Sequence, residues 1–241
     1  VKSIIINVKR SNGVIIPYEY NYFLSISLYS KLNYYQENIA KLHVKSQPGI
    51  HTFSNLISRN SRNAINGLDI KDGFIILRSI DSTLIDYLRM GISVDPTLRI
   101  GDVTYEVINI KEDIILNDWS HDISFRSLSP VLVRDFSEKK KFVISSEAID
   151  KNLTNASKWA LENIYKLDKN KIEDLKITIS SSRRKTVKIS NSKNKESITT
   201  AFQIEGKISG SPEVKSILYY KGLGSKTSLG LGCWGVINAG L

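Results

Sequence analysis

Isoleucine and valine crowd residues 2–9, a run that predicts a strand. A loop at Ser11-Asn-Gly13 follows, and Pro17 suits the first position of a helix. Over residues 18–33, Leu24, Leu28 and Leu32 recur every four positions with Phe23 and Ile26 beside them, so one helical face is apolar. The pattern continues with a short helix over 35–43, a loop at Lys45-Ser-Gln-Pro-Gly49, strand-like residues 51–57 and a polar connection over 60–66. Residues 73–80 predict another strand. Asp81 or Ser82 then caps a helix over 83–90, which Gly91 ends. Extended chain over 98–110, interrupted at Gly101-Asp102, reads as a hairpin. Strand, helix, strand, strand, helix, strand is the ferredoxin-like order, shared with RNA-recognition motifs, which use the open face of the sheet.

A polar break at Leu116-Asn-Asp-Trp-Ser-His-Asp122 divides the chain into residues 1–118 and 119–241. In the second part, 123–133 is strand-like with Pro130 marking an edge or bulge. Lys139-Lys-Lys carries charge into a short strand, and Ala156, Trp159, Ala160 and Ile164 are spaced as on a helix within 146–167. Residues 175–180, 185–189, 197–208 and 216–220 read as strands, with a short helix at 212–214. The fold class expected is α+β, two tandem ferredoxin-like (RRM-like) domains, the second ending in a glycine-rich loop.

That loop, residues 219–237, carries Gly222-x-Gly224, five residues, then Gly230-x-Gly232. Glycines at this density permit positive φ and close approach, and successive amide N–H groups can form a concave anion site. Lys226 lies in the middle among Ser225, Thr227 and Ser228, so charge and hydroxyls are on offer for phosphate. Gly230-Leu-Gly-Cys-Trp-Gly235 has the letters of a dinucleotide motif, but six residues after it leave no room for the helix and acidic residue that motif requires. Ser225 stands where a phosphate-binding P-loop would need its second glycine. The plainer alternative is a glycine-rich hairpin with no ligand.

Charge changes the picture. The 241 residues carry 34 Lys and Arg against 24 Asp and Glu, a formal net charge of +10, which favours a polyanionic partner. Between Leu175 and Lys195 there is no acidic residue, whereas Lys176, Arg183, Arg184, Lys185, Lys188, Lys193 and Lys195 collect there. On a hairpin they would form a phosphate-contacting arm, the alternative being a solvated surface. No apolar run approaches a membrane span, and lysine and asparagine interrupt the first residues too early for a secretory segment, so a cytoplasmic protein without a membrane partner is expected. Cys233 is the one cysteine, which excludes an internal disulfide and a cysteine metal cluster. No H-E-x-x-H or EF-hand pattern is present and the acidic residues are scattered, so no metal and no cofactor is expected. The three histidines are His43, His51 and His121; any of them can move a proton near neutral pH, or serve only the fold.

Three separated stretches resemble one family, the CRISPR-associated Cas6 endoribonucleases of the RAMP superfamily, which cut precursor CRISPR RNA within its repeats. The first is Ile16-Pro-Tyr-Glu-Tyr-Asn-Tyr-Phe-Leu-Ser-Ile-Ser-Leu-Tyr29 with Leu42-His43 and His51-Thr-Phe-Ser54. The second is Phe125-Arg-Ser-Leu-Ser-Pro-Val131, and the third is the glycine loop with its Ser228-Leu-Gly-Leu-Gly232 ending. The resemblance implies a catalytic histidine after the first helices, matched by His43 in its Leu-His context, with Tyr29 as the tyrosine some members use beside it. Members with a lysine a few residues further on have it facing the scissile phosphate; the nearest here is Lys45, and His51 is the other candidate for the second proton-transfer group. The implied reaction is metal-independent attack by the RNA's 2′-hydroxyl, leaving a 2′,3′-cyclic phosphate and a 5′-hydroxyl. The implied RNA-binding residues are Arg183, Arg184, Lys185, Lys188, Gly222, Gly224, Lys226, Gly230 and Gly232. Partners implied are CRISPR repeat RNA and effector-complex subunits, for a monomer or homodimer. The competing expectation is a non-catalytic RNA-binding subunit of an effector complex.

Overall fold

The computed structural model describes residues 1–32, 49–113, 118–136, 142–190 and 196–237. β1 (Lys2–Asn12) places Ile4, Ile6 and Val8 in the core, the alternation expected of a half-buried strand. α1 (Asn21–Leu32) buries Leu24, Leu28 and Leu32 along one face. It begins four residues after Pro17, because Ile16 is held in a bridge to Leu68 and the buried Tyr20 hydroxyl accepts the Leu56 amide at 2.8 Å. The short helix expected over 35–43 lies outside the described residues.

β2 (His51–Phe53) and β5 (Asp72–Ser79) pair antiparallel. Between them, where a polar connection was expected, β3 (Arg62–Ala64) and β4 (Gly67–Asp69) form a small hairpin across a two-residue loop. α2 (Ser82–Val94) is capped by the Asp81 carboxylate, which accepts the Thr83 amide at 2.9 Å. Gly91 does not end it. A Cβ there would run into the Lys31 carbonyl, so this glycine lets α1 and α2 cross closely. β6 (Thr97–Ile100) and β7 (Val103–Glu112) form the hairpin expected at Gly101-Asp102. The sheet order is β2-β5-β1-β7-β6, a ferredoxin-like sheet with one strand added at its edge.

The second unit runs β8 (Ile123–Ser127), α3 (Ile149–Asn163), a turn of helix α4 (Lys169–Ile172), β9 (Lys176–Ser190), β10 (Glu196–Ser209), α5 (Pro212–Lys221) and β11 (Trp234–Val236). Its sheet order, β11-β8-β10-β9, is ferredoxin-like without addition. Two expectations are corrected here. The separate strands at 175–180 and 185–189 are one long strand, β9. The strand at 216–220 is the body of α5, which Pro212 opens, and Val214, Leu218 and Tyr219 are buried at helical spacing. Among the described residues no helix is long and apolar enough to cross a membrane.

The units meet where α5 and β11 lie against β2 and β5. Arg78 of β5, 2% exposed, places its guanidinium 3.6 Å from the Tyr219 ring centre, donates to the Trp234 carbonyl and lies 3.7 Å from Asp113. α5 thus packs against part of the sheet that an RNA-recognition motif would leave open.

Candidate functional site

The glycine loop is built against the first unit rather than extended into solvent. Thr52 donates to the Leu231 carbonyl at 3.1 Å, and Asn21 of α1 donates to the Gly230 carbonyl at 2.9 Å. Gly222, Gly224, Gly230 and Gly232 have positive φ, between 74° and 83°. The space their side chains would occupy is already held by protein: Gly222 faces Thr52, Gly224 the Leu132 carbonyl, Gly230 the Phe53 ring and Gly232 the Leu223 carbonyl. Many of the amides are committed too. Those of Gly222, Leu223, Ser225, Gly230 and Gly232 donate to the carbonyls of Leu218, Gly232, Leu132, Thr227 and Pro130. The loop therefore does not offer those N–H groups to an anion, contrary to the concave site its composition suggested. Its cation remains: Lys226 is half-buried, and burial followed by the charge of Arg134 pushes its pKa down.

Beneath Ser228 the structure brings together two of the four candidate catalytic residues. The Tyr29 hydroxyl lies 3.0 Å from His51 Nε2 and donates to the Ser228 carbonyl at 3.3 Å. A phenol has one proton, so while it serves Ser228 the imidazole must donate from Nε2. Desolvation pushes the Tyr29 pKa up to about 12, despite the bond to Ser228, so this hydroxyl stays protonated at neutral pH. His51 is only 5% exposed, lodged among Leu28, Phe53, Leu77, Leu84 and Leu88. It faces Tyr29 from the core side. His43 and Lys45 lie outside the described residues; Gly49 lies against Thr227 and Ser228 of the glycine loop. His121 is exposed beside Asp118, at 3.6 Å, away from this pair.

On the other side of the loop lies a cleft of about 520 Å3 between the units. Its walls include Arg183, Lys185 and Lys188 of β9, Leu229 and Leu231 of the loop, and Tyr18 and Tyr22 at the start of α1. Arg183, Arg184 and Lys185 are exposed along β9. Sequence reasoning missed Lys221, buried at the end of α5 with its Nζ 3.0 Å from the Gly222 carbonyl. Burial pushes its pKa down to about 8; it ends a helix whose preceding residues 216–220 read as a strand, so its burial left no mark in the sequence. It also gave the tyrosines ahead of α1 no role, since they carry no spacing signal of their own. Among the described residues no group of three or more His, Cys, Asp or Glu could hold a metal.

Comparison with known proteins gives two adjoining family matches: "CRISPR-associated protein Cas6, N-terminal" over residues 15–111 and "CRISPR associated protein Cas6, C-terminal" over 111–236. The chain is similar to the CRISPR-associated endoribonuclease-like protein Cas6nc of Pyrococcus horikoshii, 25% identical over 90% of this chain and 92% of that one. It is 25% identical to a CRISPR-associated endoribonuclease Cas6 of Methanocaldococcus jannaschii, over 94% of this chain and 89% of that one. Among solved structures it resembles a RAMP protein described as binding different RNA substrates, with TM-score 0.83, 23% identity and coverage of 99% and 100%. A Cas6-related protein of Pyrococcus furiosus matches with TM-score 0.82, 24% identity and coverage of 99% of each chain.

Proposed function

The chain belongs to the Cas6 family of CRISPR-associated proteins, and on that premise we propose that it is an endoribonuclease that binds CRISPR repeat RNA and cuts precursor CRISPR RNA within the repeat. The observation that carries this reading is the convergence on the glycine loop of a basic cleft on one side and the Tyr29–His51 pair on the other. We place the division of the two ferredoxin-like units at residues 118 and 119.

The nucleophile is the substrate's own 2′-hydroxyl, held in line by its bound backbone. His43 takes its proton, the 2′-oxygen bonds to the adjacent phosphorus, and the bond from phosphorus to the 5′-oxygen breaks. Tyr29, protonated at neutral pH, gives the departing oxygen its proton, and His51 holds the phenol through Nε2. Lys45 offsets charge on the phosphorane oxygens. The products are a 2′,3′-cyclic phosphate and a 5′-hydroxyl, and the step needs no metal. Effector-complex subunits and a second copy of the chain are further partners under the same reading.

Replacing His43 by Ala is the test: cleavage should slow by about 10²–10⁴-fold while RNA binding is retained. A second reading, a non-catalytic RNA-binding subunit, draws on the burial of His51, which keeps the imidazole of the described pair from meeting a substrate directly. Tight binding of repeat RNA with no cleavage by the unaltered protein would favour it.

A further inference from the structure

The cleft has two walls, and only one of them was foreseen. Opposite β9 stands the β3–β4 hairpin with the residues that precede α1. Among the described residues, Glu19 is the one acidic residue lining the cleft. The adjoining stretch 54–68 has no Asp or Glu but contains Arg59, Arg62 and four asparagines, of which Asn55 and Asn63 reach the cleft. Arg59, Arg62 and Asn63 are exposed, and Ile65 at the hairpin tip is 98% exposed. Tyr18 is tied to this hairpin: its hydroxyl donates to the Ala64 carbonyl at 2.7 Å while the residue remains 48% exposed. A ring fixed at its polar end and open along its face is a stacking surface that loses little freedom on binding.

The opposite wall supplies charge through Arg183, Lys185 and Lys188. A cleft of about 520 Å3 is of a size that takes single flat groups, in the range of roughly 300–1,000 Å3, and not a duplex. Tyr22, on the same rim, is seven residues from Tyr29 on α1, about 10 Å along the helix axis. We infer that the β3–β4 hairpin, with the Tyr18 ring it tethers, closes with β9 as a clamp on a single-stranded stretch of the repeat beside the cleavage point. The inference rests on the RNA-binding reading above. It adds the chemistry of the second wall: the Tyr18 ring for stacking and the Asn55 and Asn63 amides, with Arg59 and Arg62 exposed outside the cleft on the same stretch, where the first wall gives phosphate contacts.

The probe is single-stranded repeat RNA carrying 2-aminopurine at successive positions near the cut, titrated with the full chain. One position should change in fluorescence on binding, and Tyr18→Ala should abolish that change and weaken binding about 10-fold. Tyr18→Phe, which keeps the ring, should retain most of the affinity. Arg59→Glu with Arg62→Glu, an independent perturbation of the exposed stretch that adjoins this wall, should weaken binding and flatten its salt dependence. Circular dichroism checks that each variant is folded. If Arg183→Glu weakens binding while the Tyr18 and Arg59/Arg62 variants bind as the unaltered protein does, the clamp is refuted and the RNA-binding reading stands. If unaltered protein does not bind the RNA, the parent reading fails and the clamp with it. Equal loss of affinity for a fully paired repeat would overturn the single-strand claim.

Discussion

Gly224 separates a glycine loop made for a ligand from one made for the fold. Its φ is +76°, and a Cβ built on it would lie 2.5 Å from the Leu132 carbonyl oxygen and 3.0 Å from Val131 Cγ1. The carbonyl cannot swing aside cheaply, because it accepts the Ser225 amide at 2.8 Å. Gly224→Ala therefore incurs about 1–2 kcal/mol for a left-handed non-glycine residue. Overpacking adds about 1–3 kcal/mol. A total of about 3 kcal/mol lowers the melting temperature of a chain this size by roughly 6–12 °C. Thermal and urea unfolding followed by circular dichroism measure it. Repeat-RNA affinity per folded molecule should stay within about twofold, since the space filled belongs to Leu132 and Val131 and not to a phosphate. Unchanged melting with a tenfold loss of affinity would refute the reasoning and return the glycine to the ligand.

Reversing the charge of Arg183, Arg184 and Lys185 should weaken RNA binding and reduce the slope of log affinity against log salt by about 2, roughly 0.7 for each single-strand phosphate no longer neutralised; an unchanged slope removes β9 from the RNA path. Asp95 supplies a pH test. Burial alone would raise its pKa, but hydrogen bonds from Lys31 and Thr97 and the lysine's charge outweigh that and lower it from 3.8 to about 2. The stabilisation is therefore complete above pH about 4 and lost as pH falls through 2. Lys31→Met should remove that part of the acid dependence, and parallel stability curves for the two proteins between pH 5 and about 2 would contradict it.

Much of the first unit was legible because period carried it. The four-residue spacing of Leu24, Leu28 and Leu32 and the isoleucines of β1 gave α1 and the strand beside it. The order of elements then implied two ferredoxin-like units, which the sheet orders bear out. What failed was local reading of short apolar runs. Ile217-Leu-Tyr-Tyr220 has strand-like residues, but their burial follows the helix that Pro212 opens. Gly91 looked like a helix end because a close helix crossing leaves no mark in one sequence. The site was less legible than the fold. Glycine spacing singled out one loop, yet whether its amides face a ligand or the chain is decided by tertiary partners such as Leu132 and Pro130. Likewise, His51 looked like His43 as a proton-transfer candidate until its burial against Leu84 and Leu88 appeared.

The central claim is that the substrate supplies its own nucleophile, and one substitution in the RNA tests it. Repeat RNA with 2′-deoxyribose at the nucleotide just 5′ of the cut should bind with affinity close to that of the all-ribose RNA and remain uncut, in excess EDTA as without it. The all-ribose RNA should be cut under both conditions, to ends carrying 2′,3′-cyclic phosphate and 5′-hydroxyl. Cleavage of the deoxy substrate at the normal rate would contradict the account.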